Sequence, residues 1–239
     1  MIYRNEHPRP DFKREKFEIL NGEWDFELDL GNSGINRKMF EADAVFTQKI
    51  NVPFCPESKL SGVEYKDFIA AVWYRRKVNI DDGFFGGRIF LVFGAVDFHA
   101  IIYINGKKAG EHFGGYTAFR VDITDFAVRG ENVITVYAED DTRSFLQARG
   151  KQCEEFYSRG CDYTRTTGIW QTVYLEFCPK DHITGVKYYP DIEKGTLTVT
   201  ASVQGDGVFK ARSVERDDAH IPLAEDHRLG AVLLREIER

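Results

Sequence analysis

The sequence predicts an all-β protein, on two observations. Short runs rich in Val, Ile, Phe and Tyr recur along most of the chain, and many alternate apolar and polar residues with the period of a half-buried antiparallel strand. Turn-forming residues separate these runs, and no amphipathic pattern long enough for a helix of more than a few turns precedes residue 210. Many short strands with regular turn signals predict a β-sandwich or a β-barrel.

The predicted strands follow one another closely. They span residues 23–30, 72–80, 88–94, 98–104, 107–112, 119–123, 132–139, 169–177, 183–189 and 195–203. Asn105-Gly106 predicts a two-residue hairpin, because both turn positions need positive φ. Gly114-Gly115 predicts a second tight turn. Trp73 and Trp170 lie in predicted strands, so both are expected in the core.

Composition excludes several function classes. The 239 residues include 32 Lys and Arg against 38 Asp and Glu, a net charge of −6, with no basic tract, so nucleic acid is not the expected ligand. No window approaches the roughly 18 to 20 apolar residues of a membrane span, and the amino terminus lacks the apolar core of a secretory signal. Four cysteines without CxxC spacing are expected to be reduced thiols, which predicts a cytoplasmic protein.

Familiar catalytic motifs are missing from the sequence. It contains no phosphate-binding loop, nucleophile elbow or HExxH motif, and no cofactor is expected. His99 and His112 are expected to be structural, and Cys153 and Cys161 to be ordinary loop thiols. The acidic pair Asp140-Asp141 is expected on a solvated surface.

Segment 141–168 departs from the strand rhythm. It is about twice as long as the roughly 12 to 15 residues of an ordinary long loop. It contains five Arg or Lys, four Asp or Glu and four aromatic residues. Tyr157, Asp162, Tyr163 and Arg165 supply the carboxylate, cation and flat rings that suit a sugar. The same composition fits a charged loop held by its own salt bridges, and composition alone does not separate the two.

A set of motifs in a fixed order resembles the early part of family 2 glycoside hydrolases, the β-galactosidase, β-glucuronidase and β-mannosidase group. The motifs are Asn51-Val-Pro-Phe-Cys-Pro-Glu-Ser58, Val72-Trp-Tyr-Arg-Arg76, Phe93-Gly-Ala-Val-Asp97, Ile104-Asn-Gly-Lys107, Gly114-Gly-Tyr-Thr-Ala-Phe119, Asp122-Ile-Thr124 and Arg165-Thr-Thr-Gly-Ile-Trp-Gln-Thr-Val-Tyr-Leu-Glu176. Together they cover about residues 17–178. Each is weak alone, and together they are specific.

The resemblance implies a particular domain order. A jelly-roll, galactose-binding-like β-sandwich is expected over residues 1–179, followed by a partial immunoglobulin-like domain over 180–239. The catalytic (β/α)₈ barrel of the family takes about 250 residues, so the sequence is expected to lack it. The two catalytic glutamates lie in that barrel, and this chain is therefore predicted to be inactive alone.

Three substrate contacts are implied by the resemblance, all in the intact enzyme. Asp162 precedes Gly168-Ile169 by six residues, where related enzymes have an aspartate that reaches into the active site and binds sugar hydroxyls. Arg165 matches an arginine that could orient this aspartate. Asn51 matches an asparagine with a similar substrate role in some galactosidases.

The leading hypothesis is the N-terminal part of a retaining glycosidase that acts on a terminal β-linked sugar, with a β-galactoside favoured. The alternatives are a free-standing carbohydrate-binding module and a domain whose loop docks on another protein. Expected partners are the β-linked carbohydrate, the missing barrel and, through open strand edges of an incomplete second domain, a second copy. A structural calcium stays open, although no dense Asp/Asn loop indicates one.

Overall fold

The computed structural model describes residues 3–194 and 196–205 and the backbone of residues 233–238. The chain divides into two compact units, Met1–Phe177 and Cys178–Arg239. Strands and three short 3₁₀ turns make up the regular structure of the described residues, which include no α-helix. Within these residues, no helix is long and apolar enough to cross a membrane.

Twelve strands form the first unit in chain order. They are β1 (Phe17–Ile19), β2 (Gly22–Leu28), β3 (Gln48–Val52), β4 (Ala71–Ile80), β5 (Arg88–Phe93), β6 (Val96–Asp97), β7 (His99–Ile104), β8 (Lys107–Phe113), β9 (Phe119–Asp122), β10 (Gly130–Glu139), β11 (Gly168–Ile169) and β12 (Val173–Cys178). One sheet has the order β3-β2-β4-β10-β7-β8, a second has β1-β12-β5-β9, and β11 pairs with β6. The predicted jelly-roll β-sandwich is confirmed.

The core of the sandwich follows from the alternation along each strand. Ile134 and Val136 of β10 belong to the same buried cluster as Leu91 and Phe93 of β5, so the two larger sheets share one apolar core. Each such fully buried side chain contributes about 1.5–3 kcal/mol. The period-2 pattern of the sequence therefore selects the inner face of both sheets.

A second apolar cluster covers the other face of the six-stranded sheet. Trp73, Tyr103 and Tyr137 pack there against the connection between β2 and β3, which contributes Met39 and Phe40. Trp73 is fully buried, as predicted. Because both faces of the central strands are covered, β10 is buried almost throughout and β4 is buried along its first four residues.

The predicted hairpin at Asn105-Gly106 is confirmed. Asn105 has φ 52° and Gly106 has φ 78°, the positive values that a two-residue turn of this kind needs. Gly114 also has a positive φ of 117°. Gly115 is constrained differently, because a Cβ there would lie 2.1 Å from Asp97 Oδ1.

The predicted strand 169–177 is wrong in its middle. It is split into β11 and β12, and residues 170–172 between them pair with neither sheet. The Asn21 side chain accepts the backbone N–H of Val173 at 3.1 Å and donates to Thr172 Oγ1 at 3.2 Å. Gly94 N also donates to Thr172 O at 2.9 Å, so a side chain and a loop amide replace strand pairing here. Trp170 is only half-buried as a result, and the prediction that it lies in the core is wrong.

The second unit contains a three-stranded sheet. β13 (His182–Asp191) pairs antiparallel with β14 (Thr196–Gln204), and β14 pairs parallel with β15 (Leu233–Glu238). The predicted strands end at residue 203, so β15 is a correction. Residues 233–238 show no clear alternation of apolar and polar residues, and the strand is defined by its backbone pairing with β14. Residues 206–232 lie outside the described residues. The immunoglobulin-like assignment and the self-association of this unit stay predictions.

Candidate functional site

The long connection between β10 and β11, residues 140–167, is named the β10–β11 loop. It doubles back on itself, because Cys153 N donates to Tyr163 O and Tyr163 N donates to Lys151 O, each at 2.7 Å. A second short pairing joins Arg159 and Asp162. The loop is therefore ordered by its own backbone bonds, in a parallel bridge between Gln152 and Tyr163 and an antiparallel one between Arg159 and Asp162.

Arg165 anchors this loop to the sandwich. Its side chain is buried, and its guanidinium donates to the carbonyls of Cys153 at 3.3 Å, of Glu155 at 2.6 Å and of Lys66. The same group lies 4.3 Å above the ring of Phe68. These partners are backbone carbonyls and an aromatic ring, and Asp162 is not among them. In the described residues, Arg165 thus holds the loop and does not orient the aspartate directly.

Asp162 lies at the turn of the loop and is partly exposed. Its backbone N–H donates to Arg159 O at 2.9 Å, which fixes the start of the returning arm. The Arg149 guanidinium donates to the Glu154 carboxylate at 2.8 Å. This hydrogen bond is the main cause of the raised pKa of Arg149, and the charge of Asp162 raises that pKa further. The Asp162 carboxylate forms no ion pair with any described residue, and Cys161 Sγ approaches its Oδ1 at 4.0 Å, a weak contact that leaves both oxygens able to accept stronger hydrogen bonds.

Asn51 lies on β3, opposite Glu23 of β2. Its side-chain amide donates to Leu60 O at 3.5 Å, a long and weak contact. No contact of the described residues joins Asn51, Asp162 and Arg165 to one another.

Two cavities open beside the loop. The larger, about 760 Å³, is lined by three phenylalanines and by polar groups that include Asp140, Arg143 and Arg165. The smaller, about 200 Å³, is lined by Tyr116, Tyr163 and Trp170 with Asp97 and Gln152. Asp162 and Asn51 line neither. Aromatic rings with a few fixed polar groups are the ordinary lining of a small-molecule site.

Three buried carboxyl groups near these cavities were missed in the sequence. Glu57, Asp97 and Asp140 are at most 4% exposed. Burial raises the pKa of Asp97 to about 7 and that of Asp140 to about 8, and the charge of Glu57 adds to both shifts. The expectation that Asp140-Asp141 lies on a solvated surface is wrong for Asp140. Asp140 directly follows the buried strand β10, and the β10–β11 loop then covers it.

Glu57 joins the early motif to the end of the loop. Both of its carboxylate oxygens accept the backbone N–H of Thr167, at 3.1 and 3.2 Å. Its pKa is raised by burial, against the opposing effect of these bonds. Glu57 thus fixes the segment just before β11.

The histidines that the sequence singles out have structural partners, as predicted. His99 Nδ1 lies 3.0 Å from Glu139 Oε1, and His112 Nε2 lies 3.2 Å from Gly114 O. The four cysteines, all of them among the described residues, form no disulfide. Burial raises the pKa of Cys55 to about 12, which leaves no thiolate near neutral pH. The described part of the chain holds no group of three His, Cys, Asp or Glu side chains arranged for a metal.

The fold is a jelly-roll β-sandwich with two cavities, lined by aromatic and polar side chains, beside its long loop. Residues 17–179 match the family model described as glycosyl hydrolases family 2, sugar binding domain. The chain belongs to that family, and the match covers most of its first unit.

Individual relatives agree with this assignment. The chain is 31% identical over 225 residues to a β-glucuronidase of Paenibacillus borealis, covering 87% of this chain and 35% of that protein. It is 28% identical over 152 residues to a β-galactosidase of Thermoanaerobacter pseudethanolicus, covering 62% of this chain and 19% of that protein. A solved β-glucuronidase of an uncultured Clostridium superposes with a TM-score of 0.68 at 25% identity, covering 81% of this chain and 35% of the other. The chain thus spans about a third or less of the length of these relatives.

Proposed function

We propose that this chain is the sugar-binding part of a retaining glycosidase that acts on a terminal β-linked sugar. The observation that supports this most directly is the ordered loop that presents Asp162 six residues before β11, in a chain of this family. Retaining glycosidases need two carboxyl groups about 5 to 5.5 Å apart on a rigid scaffold. We assign that pair to a catalytic barrel outside this sequence.

Asp162 is proposed to bind sugar hydroxyls. Its carboxylate is partly exposed and free of ion pairs among the described residues, so it can accept from two neighbouring hydroxyls. Asn51 is proposed as a second contact, because its only recorded side-chain bond among the described residues is long and easily exchanged. Arg165 is proposed to serve the pocket through the loop that it anchors.

The sugar itself is proposed as a β-galactoside or a β-glucuronide. The sequence motifs favour the first, and the relatives include both a β-galactosidase and β-glucuronidases. The two sugars differ at C6, a hydroxymethyl in one and a carboxylate in the other, and in the configuration of the hydroxyl at C4. Parallel assays with both glycosides therefore distinguish them.

The test compares the purified chain with the same chain joined to the catalytic portion of the Paenibacillus borealis relative. The chain alone should give no release of nitrophenol from nitrophenyl β-galactoside or β-glucuronide above a mock preparation. The joined protein should hydrolyse one of them. Turnover by the chain alone, or a folded joined protein inactive on both, would contradict the proposal.

A further inference from the structure

Two glutamines join the β10–β11 loop to buried aspartates of the sandwich. Gln147 Nε2 donates to Asp140 Oδ1, and Gln152 Nε2 donates to Asp97 Oδ2 at 2.8 Å. Gln152 Oε1 also accepts the backbone N–H of Thr166 at 2.6 Å, so this one amide ties both arms of the loop to β6. The placement of the loop therefore depends on two carboxyl groups beneath it.

Neither carboxyl group is equipped to hold a negative charge. Asp97 is 1% exposed and Asp140 is 4% exposed. Among the described residues, no hydrogen-bond donor reaches Asp97 Oδ1 or Asp140 Oδ2. A buried ionised carboxylate costs several kcal/mol unless it is paired and hydrogen-bonded, whereas the neutral acid costs far less.

The surrounding titratable groups add repulsion. The charge of Glu57 raises the pKa of Asp97, and the charges of Asp97, Glu57 and Asp141 raise that of Asp140, in each case after the larger effect of burial. Tyr116 faces the same two aspartates from the turn after β8, and its pKa is raised by burial first and then by their charges.

The nearby cations do not compensate. Arg143 lines the larger cavity together with Asp140, but its guanidinium lies 4.1 Å over the ring of Phe68. Arg165 is occupied by backbone carbonyls. Lys151 lines the smaller cavity with Asp97. Within the described residues, none of these cations forms an ion pair with either aspartate.

We propose that Asp97 and Asp140 position the β10–β11 loop in a proton-dependent manner, holding it in place while both are protonated and releasing it when they ionise. They are positioning residues, because they act on Asp162 only through the loop. The consequence for sugar binding rests on the proposed function, whereas the movement of the loop does not.

The direction of the pH dependence follows from the two states. In the released loop the aspartates are hydrated, and their pKa returns to about 3.9. In the docked loop the pKa is about 7 for Asp97 and about 8 for Asp140. Docking is therefore strongest below pH ~4, weakens as the pH rises toward about 8, and stays constant above that.

Amide hydrogen exchange tests this on the purified chain without sugar. The amides of Cys153 and Tyr163 report the loop, and that of Val136 in β10 is the internal reference. After correction for intrinsic exchange, the opening equilibrium of the loop should rise at least about tenfold between pH 5 and pH 8 and then level off. The reference should not follow it.

Substitutions separate this proposal from simple structural loosening. The double variant Asp97→Asn/Asp140→Asn cannot ionise at these two positions, so its loop protection should lose most of its pH dependence and keep only the smaller part that Glu57 contributes through Thr167. The exposed Asp82→Asn control should keep the wild-type profile. Each single variant should remove part of the dependence, which provides a test even where the double variant does not fold. A flat wild-type profile, or an unchanged slope in the variants, would overturn the proposal. Because no sugar is present, that failure is distinct from failure of the proposed function.

Discussion

Arg165 donates its guanidinium to the backbone carbonyl of Lys66, 99 residues earlier in the chain. This bond joins the end of the β10–β11 loop to the segment that precedes β4. Since the same guanidinium also donates to Cys153 and Glu155, one buried side chain connects three separate stretches of backbone. The loop that presents Asp162 is thereby part of the folded unit.

Replacing this arginine should destabilise the protein even when the charge is kept. Arg165→Lys retains a cation but loses the planar fork that reaches several carbonyls, and it leaves buried acceptors unpaired. We expect the free energy of unfolding to fall by about 1–3 kcal/mol in urea denaturation. Arg159→Lys is the matched control in the same loop, because the Arg159 side chain is exposed and, among the described residues, forms an ion pair only with Glu155. Equal small effects of the two substitutions would refute the anchoring role.

Gly115 should tolerate no side chain. Gly115→Ala would place a Cβ 2.1 Å from Asp97 Oδ1, so the buried carboxyl must shift. We expect a loss of about 1–3 kcal/mol in the free energy of unfolding. Gly83→Ala is the control, since nothing lies within 4 Å of its Cβ position, and it should be neutral or slightly stabilising. A thermal melt of Gly115→Ala that matches the wild type would count against the close approach.

Asp29 should make the first unit sensitive to acid. Burial tends to raise its pKa, but hydrogen bonds from Ser33, Gly34 and Trp73 and the charge of Arg37 outweigh burial and lower it. Because the pKa of Asp29 is lower in the folded state than in the unfolded state, its ionised carboxylate stabilises the fold. This contribution is fully present above the unfolded-state pKa of about 3.9 and is lost as the pH falls through the folded-state pKa. Asp29→Asn should lower the free energy of unfolding at pH 7. Between pH 5 and pH 2 the free energy of unfolding of this variant should fall less than that of the wild type.

The measurement for Asp29 is the urea midpoint at each pH, with Asp82→Asn as the control. Asp82 is exposed and bonds Arg129, so its replacement should change neither the midpoint at pH 7 nor the acid dependence appreciably. Parallel acid profiles for wild type and Asp29→Asn would contradict the assignment.

The strands were predictable from sequence wherever a run of β-branched and aromatic residues lies between turn residues. β5, β7 and β10 fall at or within two residues of their predicted bounds for this reason, although all three are buried along almost their whole length. β1 and β6, with three and two residues, are too short to show a period. The break at residues 170–172 depends on the side chain of Asn21, some 150 residues away, which no local pattern reports.

The site was predictable in type but not in arrangement. The composition of the loop and the family motifs indicate a sugar site and single out Asp162. The burial of Asp97 and Asp140 arises only when the loop folds over strand ends, and Arg165 proves to hold backbone carbonyls. Local sequence does not report such tertiary contacts. A carboxyl group next to a strand end is expected to be exposed to solvent unless the segment that packs over it is known.

Kinetics of Asp162→Asn in the joined protein test the central claim most directly. Asparagine keeps the size of the side chain but removes the charge that strengthens bonds from sugar hydroxyls, worth about 1.5–3 kcal/mol. We predict that kcat/KM on the preferred glycoside falls about 10- to 100-fold, while Glu155→Gln, an exposed neighbour in the same loop, stays near the wild-type value. A value for Asp162→Asn within twofold of the wild type would contradict the role of this loop in binding the sugar.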